Sequence, residues 1–370
     1  MRALFASTAG AGHVGPLLPF AAALAQRGDE VLFTGPPELE PAVAAAGHPF
    51  AAGAAPPAEE AAGIWRRFAA AAPSERSVLV NRELFGRLCT AAMLPALERV
   101  CDAWRPDLIV RDPCDYASAI AAERHGIPHA QVAISLARVE AGSLALAAPV
   151  LEPLLPGVVA RIHATPYLTR FPAALDPSPF ARTLRVREAT AAEERAAPAP
   201  PEGDGPPLVY ATLGSVAPAL PLAAAAYRAI VDAVAELPVR VLLTTGRQTD
   251  PATLGPLPAN VRAERWIDQR EVLPHATTVV CHGGSGTTFG ALAAGVPLVL
   301  LPLFADQPAN ARLVADAGAG IAVAPPHAAA DVRAAIGAVL ASPAHRAAAG
   351  AIARQMRAAP SVEEVLDRLA

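Results

Sequence analysis

Between Thr278 and Val299 an apolar run, Thr278-Val279-Val280-Cys281, breaks into His282-Gly283-Gly284-Ser285-Gly286-Thr287-Thr288, and an alanine-rich helical pattern follows. A buried strand that turns through glycines into a helix gathers backbone N–H groups and the positive helix end at one point. That point suits an anionic phosphate. Glycines are needed because a Cβ would keep a diphosphate off the backbone. His282 at the strand end can donate a further hydrogen bond, and Ser285, Thr287 and Thr288 offer hydroxyls. A ligand-free strand-to-helix turn would carry the same glycines, so the neighbours matter. Upstream lies Arg265-Trp266-Ile267-Asp268-Gln269, and downstream Phe304-Ala305-Asp306-Gln307-Pro308-Ala309-Asn310. A tryptophan can stack on a nucleobase, and Asp-Gln at a strand end can grip sugar hydroxyls. Taken singly, Trp266 is as readily a core residue and Asp306-Gln307 a helix N-cap pair.

The opening of the chain offers a second site. Arg2-Ala3-Leu4-Phe5-Ala6 reads as a strand, Ser7-Thr8-Ala9-Gly10-Ala11-Gly12-His13-Val14-Gly15-Pro16 as a loop, Leu17 to Gln26 as a helix and Val31-Leu32-Phe33 as a second strand. Gly10, Gly12 and Gly15 fit a dinucleotide fingerprint only if His13 is accepted inside it, with Glu38 as the acid near the second strand end. A nicotinamide-dependent oxidoreductase is therefore an alternative. It leaves the second glycine loop, Trp266 with Gln269, and Asp306-Gln307 unexplained.

Taken together in this order and spacing, these segments resemble the donor-site signature of nucleotide-sugar-dependent glycosyltransferases. The closest branch is the actinobacterial family that decorates antibiotics and other natural products, kin to the plant secondary-product enzymes. The resemblance spans nearly the whole chain and is dense over residues 208–320. It implies a transferase that is metal-independent, with no cofactor beyond its nucleotide-sugar substrate. In that family the histidine of the first glycine-rich loop is the general base, and His13 matches it. A neutral imidazole can take the proton of an acceptor hydroxyl, and does so better when a carboxylate holds its other nitrogen. The family supplies that carboxylate at a later strand end. Here Pro106-Asp107-Leu108-Ile109-Val110-Arg111-Asp112-Pro113 has the form, and Asp112 is preferred to Asp107 and Asp115. The structural reading of Asp112 is a helix cap, since Asp before Pro commonly begins a helix.

Composition sets the outer bounds. With 370 residues, two domains are expected. A net charge of −4 without a basic patch argues against nucleic acid as a partner. Cys89, Cys101, Cys114 and Cys281 show no metal spacing, and thiols in a reducing cytosol are the simplest account. Asp112-Pro-Cys-Asp115 lacks a visible third ligand, so no metal site is assigned. Gly10, Gly12, His13 and Pro16 interrupt any signal-peptide core, and no breaker-free run of about twenty apolar residues exists. A cytoplasmic protein without an integral membrane segment is expected.

Residues 188–207, EATAAEERAAPAPPEGDGPP, lose all periodicity. On either side strands alternate with helices, which implies parallel sheets and an α/β class. The resemblance makes this the GT-B fold, two facing Rossmann-like domains with an interdomain cleft. The expected division is an acceptor-binding domain over residues 1–190, a linker over 191–207, a donor-binding domain over 208–355, and a C-terminal helix over 356–370 that can return to the first domain.

The implied chemistry places a donor diphosphate on the amides around Gly284, Ser285, Gly286 and Thr287, with His282 and Ser215 adding hydrogen bonds. Trp266, Ile267 and Gln269 face the nucleoside, and Asp306 and Gln307 orient the sugar. His13, backed by Asp112, deprotonates the acceptor for one inverting displacement. The plant motif carries a ribose-gripping glutamate after the phosphate loop, and Gly290 stands in its place here. Its loss favours a dTDP-activated deoxysugar over a UDP-sugar. Gly12, Trp65, Phe68 and Phe85 are assigned to a hydrophobic acceptor, in the segments 53–90 and 135–180. Helical spacing makes the aromatics core candidates as well. C-glycosylation of a phenolic ring, a nucleotide-sugar epimerase and a non-catalytic sugar-nucleotide-binding or partner-activating protein are the other readings. Apolar surface on the first domain leaves room for a homodimer.

Overall fold

The computed structural model describes residues 1–187, 205–214, 218 and 221–369. Ser215 and most of the linker lie outside them. The chain forms two compact units, Met1–Glu188 with Pro360–Ala370, and Ala189–Ala359.

Among the described residues, the first unit holds a parallel sheet of seven strands: β1 Arg2–Ala6, β2 Glu30–Gly35, β3 Phe50–Ala52, β4 Leu108–Arg111, β5 His129–Val132, β6 Pro166–Thr169 and β7 Arg182–Arg185. Their order is β3-β2-β1-β4-β5-β6-β7. Strand alternation sends successive side chains to opposite faces. Ala3, Phe5, Val31, Phe33, Leu108 and Val110 pack beneath the Leu18–Gln26 helix. Leu4, Ala6 and Ile109 face the helices Thr90–Trp104, Tyr116–His125 and Ala137–Leu151. With both faces covered, the central strands are largely apolar, as a parallel sheet favours, with Arg111, His129 and Gln131 as buried polar exceptions.

The second unit repeats the plan with β8 Leu208–Thr212, β9 Arg240–Thr244, β10 Val261–Glu264, β11 Thr278–Cys281, β12 Leu298–Leu300 and β13 Gly320–Ala322. Among the described residues the order is β10-β9-β8-β11-β12-β13, every neighbouring pair parallel. Two parallel sheets clothed in helices are the GT-B architecture expected from the sequence. The apolar run Val296–Leu303 yields only a three-residue strand, Leu298–Leu300. Beyond it the chain turns, because the Leu303 and Phe304 amides donate to the Gln307 side chain at 2.8 and 3.0 Å.

In each sheet the strand order reverses once, at β1/β4 and at β8/β11. Loops leaving adjacent strands at a reversal point run to opposite sides, which opens a crevice at their carboxyl ends. Both sequence-predicted sites fall at these two points.

The last helix, Val362–Leu366, belongs to the first unit. Ser361 accepts from the Glu364 amide at 3.2 Å, and Glu364 accepts from the Ser361 amide at 2.6 Å. This reciprocal cap satisfies two orphan donors. Val362, Val365 and Leu366 complete the core under Leu18–Gln26. Leu366→Ala should therefore cost the first unit about 2–4 kcal/mol in urea unfolding. Arg27→Ala, which removes the exposed ion pair with Asp367 at 2.9 Å, should cost less than about 1 kcal/mol.

Candidate active site

After β1 the chain passes Ser7 and Thr8 and reaches Gly10, whose φ of 115° admits no ordinary side chain. A single helical turn, Ala11–Val14, then carries His13. Asp112 follows β4 directly. The pairing of Ala6 with Arg111 brings the two loops side by side, and the Asp112 amide donates to the Ala6 carbonyl at 2.9 Å.

His13 Nδ1 lies 2.8 Å from Asp112 Oδ2. Asp112 is fully buried and accepts from the Thr8 amide at 3.2 Å, the Thr8 hydroxyl at 2.5 Å and the Cys114 amide at 2.9 Å. Burial pushes its carboxyl up, but His13 and the Thr8 and Cys114 hydrogen bonds outweigh that and hold it below the usual aspartate range. An ionised carboxylate only accepts, so the proton of a neutral imidazole sits on Nδ1 and Nε2 is the basic nitrogen.

The capping role weighed for Asp112 belongs to Asp115. That residue accepts from the Ser118 amide at 3.0 Å at the start of Tyr116–His125, and burial raises its carboxyl to about 6. Asp107 sits at the other end of the strand, bonded to the Arg2 amide at 2.7 Å.

Two supporting residues escaped the sequence reading. Thr8 bonds Asp112 and stands 2.9 Å from His13 Nδ1. Fully buried Arg111 donates to the carbonyls of Asp112 and Pro113 at 3.3 and 3.4 Å, to Gln131 at 3.3 Å and to His129 at 3.3 Å. A cation closing an apolar strand was the one signal available for Arg111.

Of the residues expected to meet an acceptor, Phe85 lies on a π-helical stretch, Leu79–Cys89, with its ring 5.5 Å from that of His13. Trp65 and Phe68 stack edge to face at 5.4 Å on the Ala58–Ala70 helix. Phe68 packs on the small core of Ile64, Leu79, Leu84 and Leu88, whereas Trp65 is exposed. The structure thus brings Phe85 to His13 and shows Phe68 as a packing residue. Gly12 is exposed, with open space at its Cα.

Nearby, Glu140 is buried and accepts from the Ile134 and Ser135 amides at 2.7 and 2.6 Å. Burial raises its carboxyl from 4.5 to about 8. The folded state therefore binds the extra proton between those pH values. Its contribution to stability is complete below about pH 4.5 and is lost as pH rises towards about 8. Glu140→Gln keeps an acceptor for both amides without titrating. Urea unfolding should find it more stable than the native chain above about pH 8, by a few kcal/mol, with a flatter pH profile.

The second site gathers at the ends of β8 and β11. His282 is buried, with its Nδ1 lacking a partner, and burial lowers the imidazole to about 4. It is neutral at physiological pH. Its ring is pinned between two glycines: a Cβ on Gly214 would lie 2.7 Å from Cε1, and one on Gly284 would overlap Nε2. Gly214 also has φ +78°. Gly214→Ala should cost the second unit about 1–2 kcal/mol of unfolding free energy from the backbone conformation alone.

Gly284 precedes the Ser285–Ala293 helix without a side-chain cap, so Ser285, Gly286 and Thr287 supply first-turn amides. The Ser285 hydroxyl donates to Asp306 at 2.7 Å. Asn310, another residue the sequence reading left without a role, donates to the Gly283 carbonyl at 2.8 Å, to Ser285 at 3.1 Å and to Asp306 at 3.0 Å. Asp306 therefore belongs to the glycine loop's own scaffold.

Gln307 is buried, and its side-chain oxygen takes the Leu303 and Phe304 amides, which shapes the loop that carries it.

Trp266 is half exposed, with the Arg247 guanidinium 3.7 Å from its ring centre. Ile267 and Gln269 are half-buried, and Gln269 Nε2 lies 3.4 Å from the Gly286 carbonyl. Among the described residues no helix is long and apolar enough to cross a membrane, and the four cysteines are free.

Known proteins are similar to this chain over its length. Residues 22–147 match the N-terminal domain of the erythromycin biosynthesis protein CIII-like family and residues 228–370 its C-terminal domain. The elloramycin glycosyltransferase of Streptomyces olivaceus is 33% identical, with 100% of this chain and 97% of the relative covered. The chain belongs to this family. It is a nucleotide-sugar-dependent glycosyltransferase of the type that modifies natural products. The L-demethylnoviosyl transferase of Streptomyces niveus is 32% identical over 88% of this chain and 86% of its own. Among solved structures, a spinosyn rhamnosyltransferase superposes with a TM-score of 0.80 at 25% identity, each chain covered in full. That enzyme has also been solved with thymidine diphosphate.

Proposed function

We propose that this enzyme transfers a deoxysugar from a dTDP-sugar to a hydroxyl of a hydrophobic natural-product acceptor, with inversion and with His13 as general base. One observation carries the reading: the 2.8 Å contact of His13 Nδ1 with a buried, ionised Asp112 that Thr8 and Cys114 hold in place. In this mechanism His13 Nε2 takes the acceptor's proton as the acceptor oxygen attacks the anomeric carbon. The bond to the donor diphosphate breaks, and the diphosphate leaves with the electron pair. Asp112 stabilises the imidazolium. A single displacement converts an α-linked donor into a β-linked product.

The donor half of the reading rests on the second unit. Amides of Gly284–Thr287 and the neutral His282 meet the charge growing on the leaving diphosphate, and a dry, prearranged donor set stabilises such charge strongly. Trp266 takes the base on its ring. Gly290 supports the deoxyribose preference: a Cβ there would sit 3.1 Å from Gln269 Nε2, so an amide occupies the space from which a ribose-gripping carboxylate would rise. The thymidine diphosphate complex of the spinosyn rhamnosyltransferase agrees with that preference.

Acceptor-dependent nucleotide release from panels of dTDP- and UDP-sugars with pooled hydrophobic aglycones tests the proposal. His13→Ala should lower kcat about 10²–10⁴-fold while leaving dTDP affinity unchanged. Product NMR should show the β configuration. A retained anomeric configuration, or a clear preference for UDP-glucose over dTDP-sugars, would defeat the corresponding part.

A further inference from the structure

We infer that His13, Asp112 and Cys114 form a binding site for a thiophilic divalent cation, zinc(II) being the type case. The residues Asp112 and Cys114 alone offered too few ligands. The tertiary structure adds the third: one ligand atom from each of His13, Asp112 and Cys114 lies within 4.8 Å of the others. The site has the form that admits an ion. Asp112 and Cys114 are buried, while the His13 side chain is 21% exposed, so two ligands are fixed in the wall and the third stands at the entrance.

The donor set decides the ion. One imidazole, one carboxylate and one thiol suit zinc or cobalt(II), whereas magnesium and calcium prefer oxygen ligands alone. Tetrahedral zinc bonds of about 2.0–2.3 Å place ligand atoms about 3.3–3.6 Å apart. The His13–Asp112 contact at 2.8 Å opens slightly to meet that spacing, and the Cys114 sulfur, within 4.8 Å of both, completes it by side-chain rotation. The backbone that carries these groups is already held: the Cys114 amide is bonded to Asp112, and Arg111 grips the Asp112 and Pro113 carbonyls.

The protons balance simply. The Cys114 thiol gives its proton to solvent and binds as thiolate. His13 binds through Nδ1 as a neutral ring, and the proton once on Nδ1 moves to Nε2. The consequence follows if His13 is the base proposed above: Nε2 then carries hydrogen and cannot take an acceptor's proton, so the bound ion inhibits transfer.

Cobalt(II) titration of the chelator-treated full-length chain tests this. One equivalent should raise a near-ultraviolet thiolate-to-cobalt charge-transfer band that zinc displaces. Cys114→Ser should abolish the band and weaken cobalt binding by at least about 100-fold, since even outer-shell losses cost 10–100-fold. Cys89→Ser, Cys101→Ser and Cys281→Ser should keep it, with circular dichroism confirming that each variant is folded. Absence of the band in the native chain overturns the site, as does a band that survives Cys114→Ser. In the activity arm, zinc should inhibit reversibly by chelation, and less so in Cys114→Ser. A cobalt band with undiminished transfer upholds the site and instead overturns His13 as base.

Discussion

The reversal of strand order in each parallel sheet is the constraint on which the rest of the molecule depends. At β1/β4 and at β8/β11 two neighbouring strands send their following loops in opposite directions, and their carboxyl ends are left uncovered. Both glycine-rich loops of the candidate site stand at these two points. His13, Thr8 and Asp112 follow β1 and β4. Gly214 and the His282–Thr287 loop follow β8 and β11. Ordinary sheet hydrogen bonding, Ala6 beside Arg111 and Thr212 beside Cys281, therefore sets the distances between functional groups before any side chain contributes.

The first reversal point is unusual in how much charge it buries. Asp112 is dissolved by a set of donors, and Arg111 by a set of neutral acceptors one residue earlier in the chain. Buried charges are tolerated only when hydrogen bonds replace the lost water, and here each has several. Asp115 and Glu140, by contrast, are shifted upward by burial, to about 6 and about 8. Neighbouring carboxyls are thus shifted in opposite directions: burial raises Asp115 and Glu140, while His13 and the hydrogen bonds from Thr8 and Cys114 hold Asp112 below the usual range.

The second reversal point solves a different problem, holding a glycine loop open without letting it collapse. Asn310 ties Gly283, Ser285 and Asp306 together, and Gln307 ties down the turn beyond β12. His282 is kept neutral by burial and flat between Gly214 and Gly284. These glycines make room for the imidazole ring. A neutral donor costs less to bury than a cation and still strengthens as charge grows on a bound anion.

The sequence by itself determined the local facts. Arg2–Ala6 and Thr278–Cys281 are the strands expected, residue for residue, because continuous apolar runs bounded by glycine have few other options. The alternation of strands and helices fixed the parallel sheets. The strand-to-helix turn through His282–Gly284 was legible because its residues are contiguous. What spans distance in the chain was decided by the tertiary structure. Asp112 and Asp115 are both acids near a helix start, and only the β1–β4 pairing brings one to His13 while the other caps. Thr8, Arg111 and Asn310 have unremarkable neighbours in sequence and acquire their roles through partners up to about a hundred residues away. The hold of Gln307 on its own loop was equally hidden: two backbone amides three and four residues away, close in chain and therefore cheap in entropy to satisfy, take its side-chain oxygen.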